Sequence, residues 1–186
     1  MSVQVERWIF NVDEYHRMSE AGILSEDDRV ELIEGEIVKM SSIGSRHIGC
    51  VNRLNAILNR IAGQFAIVSV QNPIRLDDYS EPEPDIALLK HRPDFYSQSL
   101  ATVEDVLLVI EVADTSVEND RSLKLPLYAK AGIPEAWLAN LPEDRVEAHS
   151  HPANGIYQKV RVVKRGEFLS LEDIPNLVLS VDDILG

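Results

Sequence analysis

The run Val106-Leu107-Leu108-Val109-Ile110 is continuously apolar and stops at Glu111. Its length and its β-branched content mark a strand covered on both faces, and such strands lie at the centre of sheets flanked by helices. A carboxylate closing a buried strand costs several kcal/mol unless it is paired, protonated or bound to a metal, so a cation is expected to meet it. A second apolar strand, Ile86 to Leu89, opens on Asp85 after the proline-spaced acids Glu81-Pro82-Glu83-Pro84. A loop through His91 to Thr102 leaves room for the two strands to return side by side. Asp85 and Glu111 could then converge on one ion.

Beyond Glu111, Val112 to Ser116 is rich in turn and cap formers. A helix is predicted to begin between Val117 and Arg121 and to stop at Gly132. Asp120 and Lys124 are four apart, so a helix there puts both on one face, able to point back at the carboxylates. Pro126 requires that the helix start late or bend beside that face. Two carboxylates and a lysine are the minimum set for metal-dependent phosphodiester hydrolysis. The carboxylates hold a hard cation such as Mg²⁺ or Mn²⁺, and the ammonium orients water and offsets charge on the phosphate. Each residue alone has an ordinary alternative: Asp85 as a solvated loop acid, Glu111 as a sheet-end charge paired with an arginine.

Several segments together resemble the Uma-type family of restriction-endonuclease-like proteins within the PD-(D/E)XK phosphodiesterase superfamily. They are Glu31-Leu32-Ile33-Glu34-Gly35-Glu36-Ile37-Val38, the early His47, Pro84-Asp85, Val109-Ile110-Glu111-Val112 with Ser116, Asp120 with Lys124, and the stretch from Tyr128 to Trp137. In the superfamily pattern the lysine stands two residues after the second acid, a position held here by Ala113. The resemblance implies that Lys124, on the following helix, takes the lysine's place. It also implies that Glu34 is the early acid, that Asp85 and Glu111 bind the metal, and that the partner is nucleic acid, DNA above all. The expected substrate contacts are Arg46, His47 and Asp120. Glu34 could equally be a turn residue, and His47 a surface or capping histidine.

The remaining chain fits one domain over residues 1–186, of α/β class, with a mixed sheet flanked by helices and a C-terminal β-meander. A helix is predicted from Val12 to Ala21, and strands Arg29 to Ile33 and Glu36 to Met40 flank a Glu34-Gly35 turn. Ile48, Val51, Leu54, Ile57, Leu58 and Ile61 form the clearest amphipathic helix, with Arg46, Arg53 and Arg60 on its other side. Further strands are expected at Phe65 to Gln71, Ile74 to Leu76 and Glu135 to Asn140. The meander comprises Arg145 to His149, Ile156 to Val163 and a piece near Phe168. Trp8 and Trp137 read as packing residues, Cys50 as a small buried hydrophobe, and His149 and His151 as an exposed hairpin end.

With 18 basic and 31 acidic residues the net charge is −13, whereas chains that neutralise many phosphates present a basic face. A local patch from the Arg46 stripe, or from Arg121, Lys124 and Lys130, is the expected remedy. The acidity also motivates a second reading, a non-catalytic binding or assembly protein on the same scaffold. With no long apolar run and no secretory pattern at the N-terminus, the chain is expected to be cytoplasmic and free of membrane. Homo-oligomers are expected by analogy with enzymes that cut both strands.

Overall fold

The computed structural model describes residues 7–25, 27–171, 174 and 177–186. Helix α1 (Val12–Glu20) begins at Asn11, whose side chain accepts from the Glu14 amide while Glu14 caps the Asn11 amide in return. Strands β1 (Val30–Ile33) and β2 (Glu36–Lys39) pair around Glu34 and Gly35, both at positive φ (48° and 80°). Two successive left-handed residues make the tight hairpin turn whose twist matches antiparallel strands. Helix α2 (Ser45–Ala62) follows and buries Cys50, Val51, Leu54 and Leu58.

Strands β3 (Ile67–Val70), β5 (Ile86–Leu89), β7 (Val106–Ala113), β8 (Glu135–Asn140), β9 (Arg145–Ala153) and β10 (Ile156–Lys164) form one six-stranded sheet in the order β10-β9-β8-β7-β5-β3. Only β7 and β8 run parallel, so the sheet is mixed. The short strands β4 (Ile74–Arg75) and β6 (Ala101–Thr102) pair with each other beside it. The consecutive antiparallel strands β8, β9 and β10 make the meander. Its expected last piece leaves the sheet, because β11 (Phe168–Ser170) pairs instead with β12 (Val178–Ser180), which leads into α5 (Val181–Leu185).

Side-chain alternation along β7 explains the two layers. Leu108, Ile110 and Val112 face α2, α5 and the C-terminal hairpin, while Val109 and Ala113 face Leu125, Tyr128 and Ile133. Glu111 shares the parity of Val109 and Ala113, so it projects into the second layer. The chain returns over that layer as three helical segments, α3 (Val117–Asn119), a π-helical turn (Asp120–Lys124) and α4 (Leu125–Ala131). Pro126 therefore neither delays nor ends the helix. Lacking an N–H, it cannot make the usual bond to the preceding turn, and the widened turn just before it takes up the break. Gly132, at φ 89°, closes α4 with its amide on the Tyr128 and Ala129 carbonyls.

Two expectations about aromatic and histidine side chains need correction. Trp137 is wholly buried, but Trp8 lies exposed. His151 is exposed, while His149 is largely covered and rests on the Tyr157 ring, because its strand parity turns it to the helix-covered face. Among the described residues no helix is long and apolar enough to cross a membrane.

Candidate active site

The C-terminal half of β7, the start of β5, β1 and the π-helical turn meet at an open cleft. Its lining brings together Glu31, Glu83, Asp85, Glu111, Asp120 and Lys124, with His47 at the rim. Lys124 is at the centre. Its Nζ stands 3.2 Å from Glu31 Oε2 and 3.3 Å from Glu111 Oε1. The π-helical turn directs it there, since Asp120 and Lys124 both face inward and are buried. Glu111 Oε1 also accepts a 2.5 Å hydrogen bond from the Tyr128 hydroxyl, one helical turn beyond Lys124.

Asp85 is held by three donors. Its Oδ2 accepts from the Val112 amide at 2.9 Å and pairs with His47 Nε2 at 2.9 Å, and its Oδ1 accepts from Gln71 Nε2 at 3.2 Å. The Val112 bond ties Asp85 to β7 one residue beyond Glu111. Asp120 accepts from Ser116 Oγ at 2.6 Å, and Glu31 Oε2 accepts from the Glu83 amide at 3.1 Å.

Burial dominates the electrostatics. It pushes the Glu111 carboxyl up to about 8, with Asp85 and Asp120 adding to the rise and Lys124 and Tyr128 opposing it. Burial likewise raises Asp120 and Glu83. For Asp85 burial works upward too, but the bonds from His47, Val112 and Gln71 outweigh it and hold the group below the ordinary aspartate range. Burial works to lower Lys124, yet Glu111, Glu31, Asp120 and Asp85 together hold it above the usual lysine value. The carboxylates around Lys124 thus favour its ammonium form.

The residues foreseen from sequence divide accordingly. Asp85, Glu111, Asp120, Lys124 and His47 share the cleft, with His47 spent on Asp85. Glu34 does not join them. At the tip of the β1–β2 turn it is more than half exposed and pairs with Lys130 at 2.6 Å. Arg46 also points elsewhere, to Asp114 Oδ1 at 3.3 Å and the Leu141 carbonyl at 2.9 Å. Nor do Arg121, Lys124 and Lys130 form one positive patch, since each rests on a different carboxylate: Glu147, the Glu31 and Glu111 pair, and Glu34. Sequence reasoning missed Glu31 and Glu83. The argument that selected Glu111, an acid set in an apolar strand, applies equally to Glu31 within Val30–Ile33.

The donor chemistry suits a hard divalent cation. The carboxylates in the lining outnumber the fixed cations Arg29, Lys39 and Lys124, and carboxylate oxygens are the ligands Mg²⁺ and Mn²⁺ take. Their arrangement stops short of a preformed cage. Among the described residues no three His, Cys, Asp or Glu side chains are gathered to hold an ion.

The model of the Uma2 family, described as "Putative restriction endonuclease", matches residues 12–182. The chain belongs to the Uma2 family. Among solved structures, it is similar over 95% of its length to 97% of a "putative nuclease belonging to DUF820" from Anabaena variabilis, with a TM-score of 0.71 and 17% identity. That likeness is one of fold. The type IIG restriction endonuclease BpuSI aligns with 78% of this chain and 16% of its own, at 17% identity and a TM-score of 0.43. No curated protein sequence matches.

Proposed function

We propose that this Uma2 protein is a divalent-cation-dependent endonuclease that hydrolyses phosphodiester bonds of nucleic acid, DNA in the first instance. The observation that carries the reading is the Lys124 ammonium set between two buried carboxylates, Glu31 and Glu111, in the cleft that also holds Asp85. Asp85 and Glu111 would hold Mg²⁺ or Mn²⁺, which supplies Lewis acidity toward the phosphate and a more acidic bound water. Glu31 takes the place of the early acid that the family resemblance assigned to Glu34.

With its pKa held up by the surrounding carboxylates, Lys124 is better suited to donate than to accept a proton. It donates hydrogen bonds, orienting the attacking water or meeting charge that develops on a phosphate oxygen. Tyr128 and Lys124 both engage Glu111 Oε1, so Oε2 is outside both contacts. His47 and the Val112 amide keep Asp85 ionised and fixed in rotamer. An acid-lined cleft repels phosphate, so substrate binding should require the cation rather than merely be helped by it.

The net charge of −13, together with the lack of a preformed cage among the described residues, favours a second reading, a homo-oligomeric binding or assembly protein on the nuclease scaffold. Titration with Mg²⁺ or Mn²⁺ separates the two. Binding lost in Asp85→Ala and Glu111→Ala supports the enzyme, and no specific binding in the wild-type chain supports the scaffold.

A further inference from the structure

Strand register places a second buried acid in line with the site. Glu111 on β7 is opposite Leu138 on β8, and Leu138 is opposite Glu147 on β9. Residues in one row across a sheet project from the same face, so Glu111 and Glu147 both point into the helix-covered layer, two strands and roughly 9–10 Å apart. Two cations on the π-helical turn meet them. Lys124 stands on Glu111, and three residues earlier Arg121 grips Glu147 through Nη2 to Oε1 at 2.7 Å and Nε to Oε2 at 3.4 Å.

We propose that Arg121, acting through Glu147, is a positioning residue that sets where the Lys124 ammonium stands. A π-helical turn is a less favourable geometry than an α turn and persists where its surroundings hold it. Pro126 removes one competing backbone bond but does not fix how the turn is rotated about its axis. Two ion pairs on two strands do fix it, in rotation and in height above the sheet. The planar, forked guanidinium suits this task better than a second ammonium would.

Removing Arg121 need not unfold the chain. Glu147 keeps two bonds from Arg145, at 2.9 and 3.1 Å, and so is not left as an unpaired buried charge. The consequence for catalysis rests on the nuclease reading, but the consequence for the turn does not.

The test uses Arg121→Met and Arg121→Lys in the full chain. Amide hydrogen exchange is followed over residues 120–128 and over β7 and β8, and cleavage kinetics are measured in parallel. Arg121→Met should speed exchange by about tenfold or more in 120–128 while β7 and β8 keep their protection, with Arg121→Lys in between. The kcat should fall by about tenfold or more with KM within about twofold. Unchanged exchange in 120–128, or equal loosening of the whole sheet, would overturn the proposal. If the wild-type chain cleaves nothing, the nuclease reading falls and the exchange result still decides the positioning role.

Discussion

Replacing Glu111 by glutamine should remove a pH dependence of folding stability that one buried carboxyl creates. Burial raises the folded-state value of Glu111 from 4.5 to about 8. Below pH 4.5 the group is protonated in both folded and unfolded chains and carries no penalty. Between 4.5 and 8 the folded chain holds a proton that the unfolded chain has lost, so stability falls as pH rises, by about 1.4 kcal/mol per unit. Above 8 the full penalty is present. Wild type minus Glu111→Gln should therefore drop by about 3.5 kcal/mol between pH 5 and pH 8, with the contributions of Asp120 and Glu83 largely cancelling in the difference. The assay is urea denaturation of both proteins at each pH, read by Trp137 fluorescence and by circular dichroism. A difference that stays constant within about 0.5 kcal/mol would show that Glu111 titrates like an exposed acid, and would refute the burial argument.

Lys124→Met leaves Glu31 and Glu111 buried without their shared cation. It should destabilise the chain by about 3–5 kcal/mol near pH 8 and abolish cleavage, as equilibrium unfolding and plasmid nicking would measure. Asp85→Asn keeps the size of the side chain but removes its charge, so calorimetry should find divalent-ion binding lost, with a fall in melting temperature because the bonds from His47, Val112 and Gln71 favour the ionised form. Glu34→Gln should leave cleavage unchanged, since Glu34 pairs with exposed Lys130 outside the cleft, and a large fall in kcat would return Glu34 to the site. Gly132→Ala forces a Cβ into left-handed backbone at φ 89° in otherwise open space, and should cost about 1–2 kcal/mol by denaturation.

What could be read in advance follows the strength of local signals. The apolar run before Glu111 announces a central strand because few other structures bury such a run, and strand parity then sends Glu111 to the helix side. The α2 periodicity and the Glu34-Gly35 turn are equally local. Pairings between distant segments have no such signature. Glu31 reaches Lys124 because β1 lines the cleft, and Glu34, three residues on, is carried past the end of the strand to the turn and into solvent. The π-helical turn was hidden as well: Pro126 announces an irregularity but not its form. Arg121 resembled a member of a positive patch until Glu147, on a strand well over a helix length away in sequence, was seen to hold it.

On the proposed reading, the cleft hydrolyses phosphodiesters with a cation held by Asp85 and Glu111. The most direct measurement incubates supercoiled plasmid, linear duplex, single-stranded DNA and RNA with the protein in Mg²⁺ or Mn²⁺, beside Asp85→Ala and an EDTA control. Cleavage of at least one substrate that requires the cation and disappears in Asp85→Ala is the predicted result, whereas cleavage that persists in EDTA or in the mutant, or well-folded protein that binds no cation and cuts nothing, would contradict it.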